Sequence, residues 1–146
     1  MSDFAPLDIM VPKQLHKDLY DVYAKGKQNK TKSIKAVPFE RNLDLWFLGF
    51  CLAIKKGLNP IESSGQKVRA IQGVVFVNNK QQELIIKHIM VQREGVDILL
   101  DPAKMHKTAN ELSTAGLAEL KLILGKDPDE TELDNILDSM KELLEE

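Results

Sequence analysis

The segment from Leu43 to Ile54 constrains this chain more than any other. Leu43, Leu45, Trp46, Phe47, Leu48, Phe50, Leu52 and Ile54 would point to nearly every side of a helix axis. A surface helix shows one apolar stripe, whereas a helix that is apolar all round has to be enclosed. The sequence therefore predicts a central helix over about 40–57, with the rest of the chain wrapped around it. Lys55, Lys56 and Gly57 supply favourable C-terminal charge and a stop. The apolar stretch 45–54 is far shorter than the roughly 20 residues a membrane helix needs, so no membrane association is expected. At 146 residues the chain has the size of one domain, and 43% hydrophobic with 29% charged content fits a folded globular protein. We read residues 1–146 as a single, mainly α domain. It is expected to have about five helices, with one or two short strands near the N-terminus and around residues 73–77.

Periodicity and punctuation give the other elements. Leu7 to Val11 alternates as a short strand, and Pro12 either ends it or opens the next element. Leu15, Leu19, Val22 and Tyr23 predict a helix over about 12–25 that Gly26 stops. Residues 58–70 read as irregular, and Gly73-Val74-Val75-Phe76-Val77 as a strand. Leu84, Ile85, Ile86, Ile89, Met90 and Val91 place a third helix over 81–93, which Gly95 interrupts. Asp101 caps a fourth helix over 102–124, with Pro102 at its first position and Met105, Ala109, Leu112, Ala115, Leu117, Leu120, Ile123 and Leu124 recurring at helical spacing. Asp127-Pro128-Asp129-Glu130 opens a fifth, acidic helix over 129–145. The sequence has neither an internal repeat nor a linker to a second domain.

Catalytic equipment is hard to find. His16, His88 and His106 are far apart, without partners at metal-ligand spacing, and each is read as a partly exposed helix residue. GxGxxG and GxxxxGK[ST] are both missing, and Ser63-Ser64-Gly65 lacks the elbow that raises a serine nucleophile. Asp134, Asp138 and Glu142 recur four apart on one helix face, the pattern of a solvated row rather than a buried general acid. The expectation is a protein that binds rather than catalyses, with no metal and no cofactor. The single cysteine, Cys51, reads as a core thiol in a reducing compartment. The opening Met-Ser-Asp-Phe-Ala-Pro lacks a secretory signature, and a cytoplasmic location is expected.

Charge is distributed unevenly. Residues 1–82 hold 13 Lys+Arg against 7 Asp+Glu, a net of +6, and residues 83–146 hold 7 against 15, a net of −8. The split can set a basic face against an acidic one, or be plain solvated surface. The basic excess peaks in a loop over 25–36, where Lys25, Lys27, Lys30, Lys32 and Lys35 stand without an acid among them. Counting Lys13 and Lys17 as well, residues 13–35 carry +5. Such lysines can follow phosphates without reading bases, which makes this loop the candidate nucleic-acid site, DNA being held through its backbone. The region has neither arginine nor interleaved aromatics, so sequence readout is not indicated. A merely solvated loop is the alternative.

The last helix is the candidate partner site. Leu133, Ile136, Leu137, Met140, Leu143 and Leu144 form its apolar stripe, opposite Asp134, Asp138, Glu142 and Glu145. An isolated helix of this length is marginal in water, so the stripe needs cover. Either the chain's own bundle provides it, or another subunit does, as a second copy or as a larger partner with a groove.

Two resemblances follow from these residues. The strand-helix-helix opening resembles the ribbon-helix-helix class, in which two chains pair their N-terminal strands; this implies a dimeric DNA-binding regulator. Its base-reading positions would fall on Asp8 and Met10, or on Leu7 and Ile9. More broadly, Val11-Pro12-Lys13…Asp18-Leu19-Tyr20, Asp44-Leu45-Trp46-Phe47-Leu48-Gly49-Phe50 with Lys55-Lys56-Gly57, and Ala109-Asn110-Glu111-Leu112-Ser113-Thr114-Ala115-Gly116-Leu117 resemble small accessory proteins encoded beside bacterial DNA phosphorothioation (Dnd) systems. That resemblance covers about 5–125 as a pattern of elements. It implies a helical accessory subunit of a prokaryotic DNA-modification or defence system, working beside a larger protein and without catalytic residues of its own.

Overall fold

The structure is a computed structural model that describes residues 2–20, 41–62 and 65–125. The lysines at 25–35, the stop at Gly26, Ser63-Ser64 and the helix expected over 129–145, with Leu133, Ile136, Leu137, Met140 and Leu144, lie outside the described residues. The protein is mainly helical, with one small antiparallel sheet.

Strand β1 (Ile9–Pro12) leads directly into a single α turn, α1 (Lys13–Leu15), which widens into a π turn over His16–Tyr20. The expected first helix is thus broken in type. The wider π turn sets Leu19 and Tyr20 side by side in the core, each 1% exposed. Pro12 takes both of its expected parts, closing the strand and preceding α1.

Helix α2 (Asn42–Lys56) is the enclosed helix. Leu43, Leu45, Trp46, Leu48, Phe50, Leu52 and Ala53 are buried, and Phe47, Cys51 and Ile54 half-buried. Gly57 ends it at φ 63°. The Leu58 N–H donates to the Ala53 carbonyl at 2.9 Å and the Gly57 N–H to that of Ile54 at 3.2 Å, the paired bonds of a Schellman cap.

The sequence placed the second strand wrongly. Strand β2 is Lys67–Ile71, and it pairs antiparallel with β1, Ile9 opposite Ile71 and Pro12 opposite Lys67. Ile9 to Met10 spans Ile71 to Arg69, so Ala70 is an extra residue in the ladder, and its carbonyl accepts from Asn42 Nδ2 at 2.9 Å. The expected strand at 73–77 is instead a 3₁₀ helix, Gly73–Asn78. With three residues per turn, Gly73 and Phe76 face inward while Val74 and Val77 face out, 58% and 43% exposed. The ribbon-helix-helix class joins strands of two chains, whereas β1 pairs here with β2 of its own chain.

Helix α3 (Lys80–Glu94) ends at Gly95, φ 95°, and a second 3₁₀ turn, Val96–Leu100, precedes helix α4 (Pro102–Gly125). Asp101 caps α4 as expected, its Oδ1 accepting from the Lys104 N–H at 3.1 Å. Helix α4 lies along α2 and seals it with Met105, Ala109, Leu112, Leu117 and Leu120.

Candidate functional site

A groove of about 450 Å³ opens at the notch between the sheet and α1, lined by Pro12, Lys13, Gln14, Lys17, Gly65 and Gln66. Its frame is backbone: the Lys13 N–H donates to the Gln66 carbonyl at 2.9 Å, extending the strand ladder by one bond. Leu15, Leu19 and Tyr20 take the inner side of this turn. That leaves Lys13 and Lys17, four apart, exposed on its outer side. Lys67, opposite Pro12, is exposed at the end of the same ladder.

The electrostatics of the groove depend on which cations already have partners. Lys56 pairs with Glu119 (3.4 Å), Lys87 with Asp3 (2.7 Å) and Glu83 (3.1 Å), Arg41 with Asp44 (2.7 Å) and Arg69 with Asp8 (3.6 Å). Asp18, the acid nearest the groove by sequence, is taken by Lys121 from α4 and by Gln14 Nε2 at 2.9 Å. The hydrogen bond from Lys121, then that from Gln14, holds the Asp18 carboxyl below its ordinary range. Among the described residues, no acid lies within ion-pair reach of Lys13, Lys17 or Lys67. Two cations with spare charge, Lys13 and Lys17, thus line one open notch, and Lys67 stands exposed at the end of the adjoining ladder.

No family model, curated protein or solved structure matches this chain. The site therefore has to be read from its own chemistry. Ammonium groups and amides in an open groove suit an anion whose negative charge is spread along a surface, and nothing in the lining could act as a nucleophile with a neighbouring base. Lys13 and Lys17 were visible in the sequence as part of the +5 segment, but Gln14, Gly65 and Gln66 were not singled out. The spacing of Lys13 and Lys17 on one side of a turn was the available signal. No group of three His, Cys, Asp or Glu side chains among the described residues could hold a metal ion, and no helix there is long and apolar enough to cross a membrane.

The histidines differ from one another. His16 is half-buried and stacks on Tyr20 at 5.5 Å, and His88 is exposed beside Gln92 (3.3 Å). His106, expected to be partly exposed, is buried at 8% and meets the Phe4 ring edge-on at 5.4 Å. Phe4 belongs to an N-terminal clamp that sequence reading missed. The Ser2 hydroxyl donates to Glu83 Oε1, and the Asp3 and Phe4 N–H groups each reach a Glu83 oxygen at 3.3 Å. Burial alone would raise the Glu83 pKa. The Ser2 and Lys87 hydrogen bonds, the Lys87 charge and the Phe4 N–H outweigh it and hold the carboxyl low.

Proposed function

We propose that this protein is a non-enzymatic binding subunit that holds nucleic-acid phosphate in the Lys13–Lys17–Lys67 groove. Its place is the cytoplasm, within a prokaryotic DNA-modification or genome-defence system, beside a larger protein subunit. The observation that carries the reading is a pair of cations, Lys13 and Lys17, lining an open notch without an acid in its lining, with Lys67 on the adjoining ladder, where six of the other ten described lysines and arginines are held in ion pairs. Lys25, Lys27, Lys30, Lys32 and Lys35 follow this turn in sequence and extend the same charge. Duplex DNA is the favoured ligand, because a single strand is usually held by stacked aromatics and the groove lining has none. The stripe Leu133, Ile136, Leu137, Met140 and Leu144 supplies the surface for the larger partner or for a second copy.

Fluorescence anisotropy with mixed-sequence duplexes at stepped salt tests this. Binding should be indifferent to sequence and fall steeply with salt, and the Lys13→Gln/Lys17→Gln double variant should flatten log K against log[salt] by about two units. Sequence-selective binding that ignores salt, or an unchanged slope in the double variant, counts against the groove.

A further inference from the structure

We infer that the outward face of the β1–β2 ribbon continues the phosphate-binding surface, with Arg69 as a further phosphate-binding residue that Asp8 holds until nucleic acid displaces it. The inference rests on the phosphate reading above and extends it to a cation that is already paired. The first observation is the register. Met10 stands opposite Arg69 and Pro12 opposite Lys67, while Ile9 and Val11 are buried. Side chains alternate between the two faces of a strand, so Met10, Pro12, Lys67 and Arg69 share the outer one. Pro12 also lines the groove, and the ribbon face and the groove therefore adjoin. Lys67 and Arg69, two residues apart on one strand, have their Cα atoms about 7 Å apart. One cationic strip thus runs from Lys17 and Lys13 through Lys67 to Arg69.

The second observation is how loosely Arg69 is held. Its Nη1 lies 3.6 Å from Asp8 Oδ2, the longest ion pair among the described residues and beyond hydrogen-bond length. The two side chains are 52% and 45% exposed, and ion pairs in such open positions contribute little. Asp8 is fixed by a different contact, since its Oδ1 accepts from the Gly73 N–H at 2.9 Å. The carboxylate keeps its place when the guanidinium swings away. A phosphodiester offers Arg69 two oxygens for a pair of parallel hydrogen bonds, a stronger contact than the one it leaves. Asp8 is also the sole acid within residues 8–17 and 65–71, which hold Lys13, Lys17, Lys67 and Arg69. It is the one charge in these segments that opposes the ligand, and it does so by competing for Arg69.

Duplex binding by the full chain, followed by fluorescence anisotropy at stepped salt, tests the proposal through a double-mutant cycle. Arg69→Gln should weaken low-salt binding about tenfold and flatten log K against log[salt] by about one unit, and Arg69→Lys should restore most of the slope. Asp8→Asn removes the competing charge but keeps an oxygen for the Gly73 N–H. It should tighten low-salt binding about threefold, and the gain should vanish in the Arg69→Gln background. Trp46 emission checks that each variant is folded. Unchanged affinity and slope for Arg69→Gln overturns the proposal. So does an Asp8→Asn gain that persists in that background, which would mark Asp8 as a general charge and not a competitor for Arg69. In both cases a flattened slope for Lys13→Gln/Lys17→Gln leaves the phosphate reading intact. A natural chain that binds no duplex at low salt refutes that reading and this proposal together.

Discussion

Gly49 and Gly116 bring the backbones of α2 and α4 into direct contact. A Cβ built on Gly116 would stand 1.7 Å from the Gly49 carbonyl oxygen, and one on Gly49 would stand 2.6 Å from Leu117 Cγ and 2.8 Å from the Ser113 carbonyl oxygen. The obstacle at Gly116 is main chain, which cannot rotate away, so a methyl group there must push the helices apart. That separation would also loosen the Ser113 hydroxyl from the Trp46 carbonyl, which it reaches at 2.8 Å.

Gly116→Ala should therefore cost about 3 kcal/mol or more, at the upper end of overpacking losses, and Gly49→Ala, which also meets main chain but less closely, about 2–3 kcal/mol. Gly65→Ala, with nothing within 4 Å of the added carbon, should stay within about 0.5 kcal/mol of the natural chain. Urea midpoints of the three variants check the order.

A second prediction concerns the polar chain across the same crossing. The Trp46 indole N–H donates to Asn110 Oδ1 at 3.0 Å, and Asn110 Nδ2 donates to the Met10 carbonyl at 2.7 Å, joining α2, α4 and β1 through one side chain. Asn110→Ala removes both bonds and strands the indole N–H of a fully buried ring. The expected loss is about 2–3 kcal/mol, since each unsatisfied buried group costs about 1–3 kcal/mol. Trp46→Ala should cost about 3–5 kcal/mol through the cavity it leaves. Trp46 is the only tryptophan, so its emission should be blue-shifted when folded and report unfolding directly.

What the sequence disclosed of this architecture depended on the kind of signal. The central helix was legible because Leu43 to Ile54 is apolar on nearly every side, and the start of α4 because Asp101-Pro102 has one structural meaning. The strand at 67–71 was legible in principle, since Lys67 and Arg69 alternate with Val68 and Ala70. It lost to the β-branched run at 73–77, whose Gly73 is pinned by Asp8 and by the Ala5 and Leu7 carbonyls. A chain held there takes the tighter 3₁₀ path to α3, and tertiary context outweighs β propensity. Of the groove, the two α1 lysines were visible as charge. Gln66 was not, because its place beside Lys13 arises from strand pairing across more than fifty residues. The Phe4 clamp was hidden for the same reason, since Ser2 and Glu83 meet only in the folded chain.

Cys51 provides a reading of local opening. It is half-buried against the core, and burial pushes its thiol up to about 11. At neutral pH the folded chain presents almost no thiolate, which is the reactive form. Labelling by iodoacetamide at pH 8 should run at least tenfold slower than for the same chain in denaturant, and Gly116→Ala should narrow that gap. Equal rates in folded and unfolded chain would show that α2 opens freely.

The final prediction separates two acid transitions. His106 is buried, and this lowers its pKa more than the Leu7 carbonyl and the Asp8 charge raise it. Its Nε2 has no hydrogen-bond partner among the described residues. The neutral ring is thus the folded form, while the unfolded chain takes up the proton at about pH 6.5. A folded pKa below the unfolded one means that the unfolded state binds more protons in the interval between them. Stability is complete above about pH 6.5 and declines as pH falls towards the folded value, by at most about 1.4 kcal/mol per pH unit. Glu83 acts lower on the scale. Its carboxyl is held below the ordinary glutamate range, so its contribution is present above that range and is lost as pH falls through the folded value. Stability measured against pH should therefore show an upper phase that His106→Gln removes and a lower phase that Glu83→Gln removes, each sparing the other. Both groups contact the segment 2–8, so the upper phase should release Phe4 before α2 and α4 separate. Hydrogen exchange at pH 5.5 checks this. Faster exchange confined to residues 2–8 and their neighbours on α3 is the expected result, whereas uniform acceleration across the chain would show that the clamp does not open on its own.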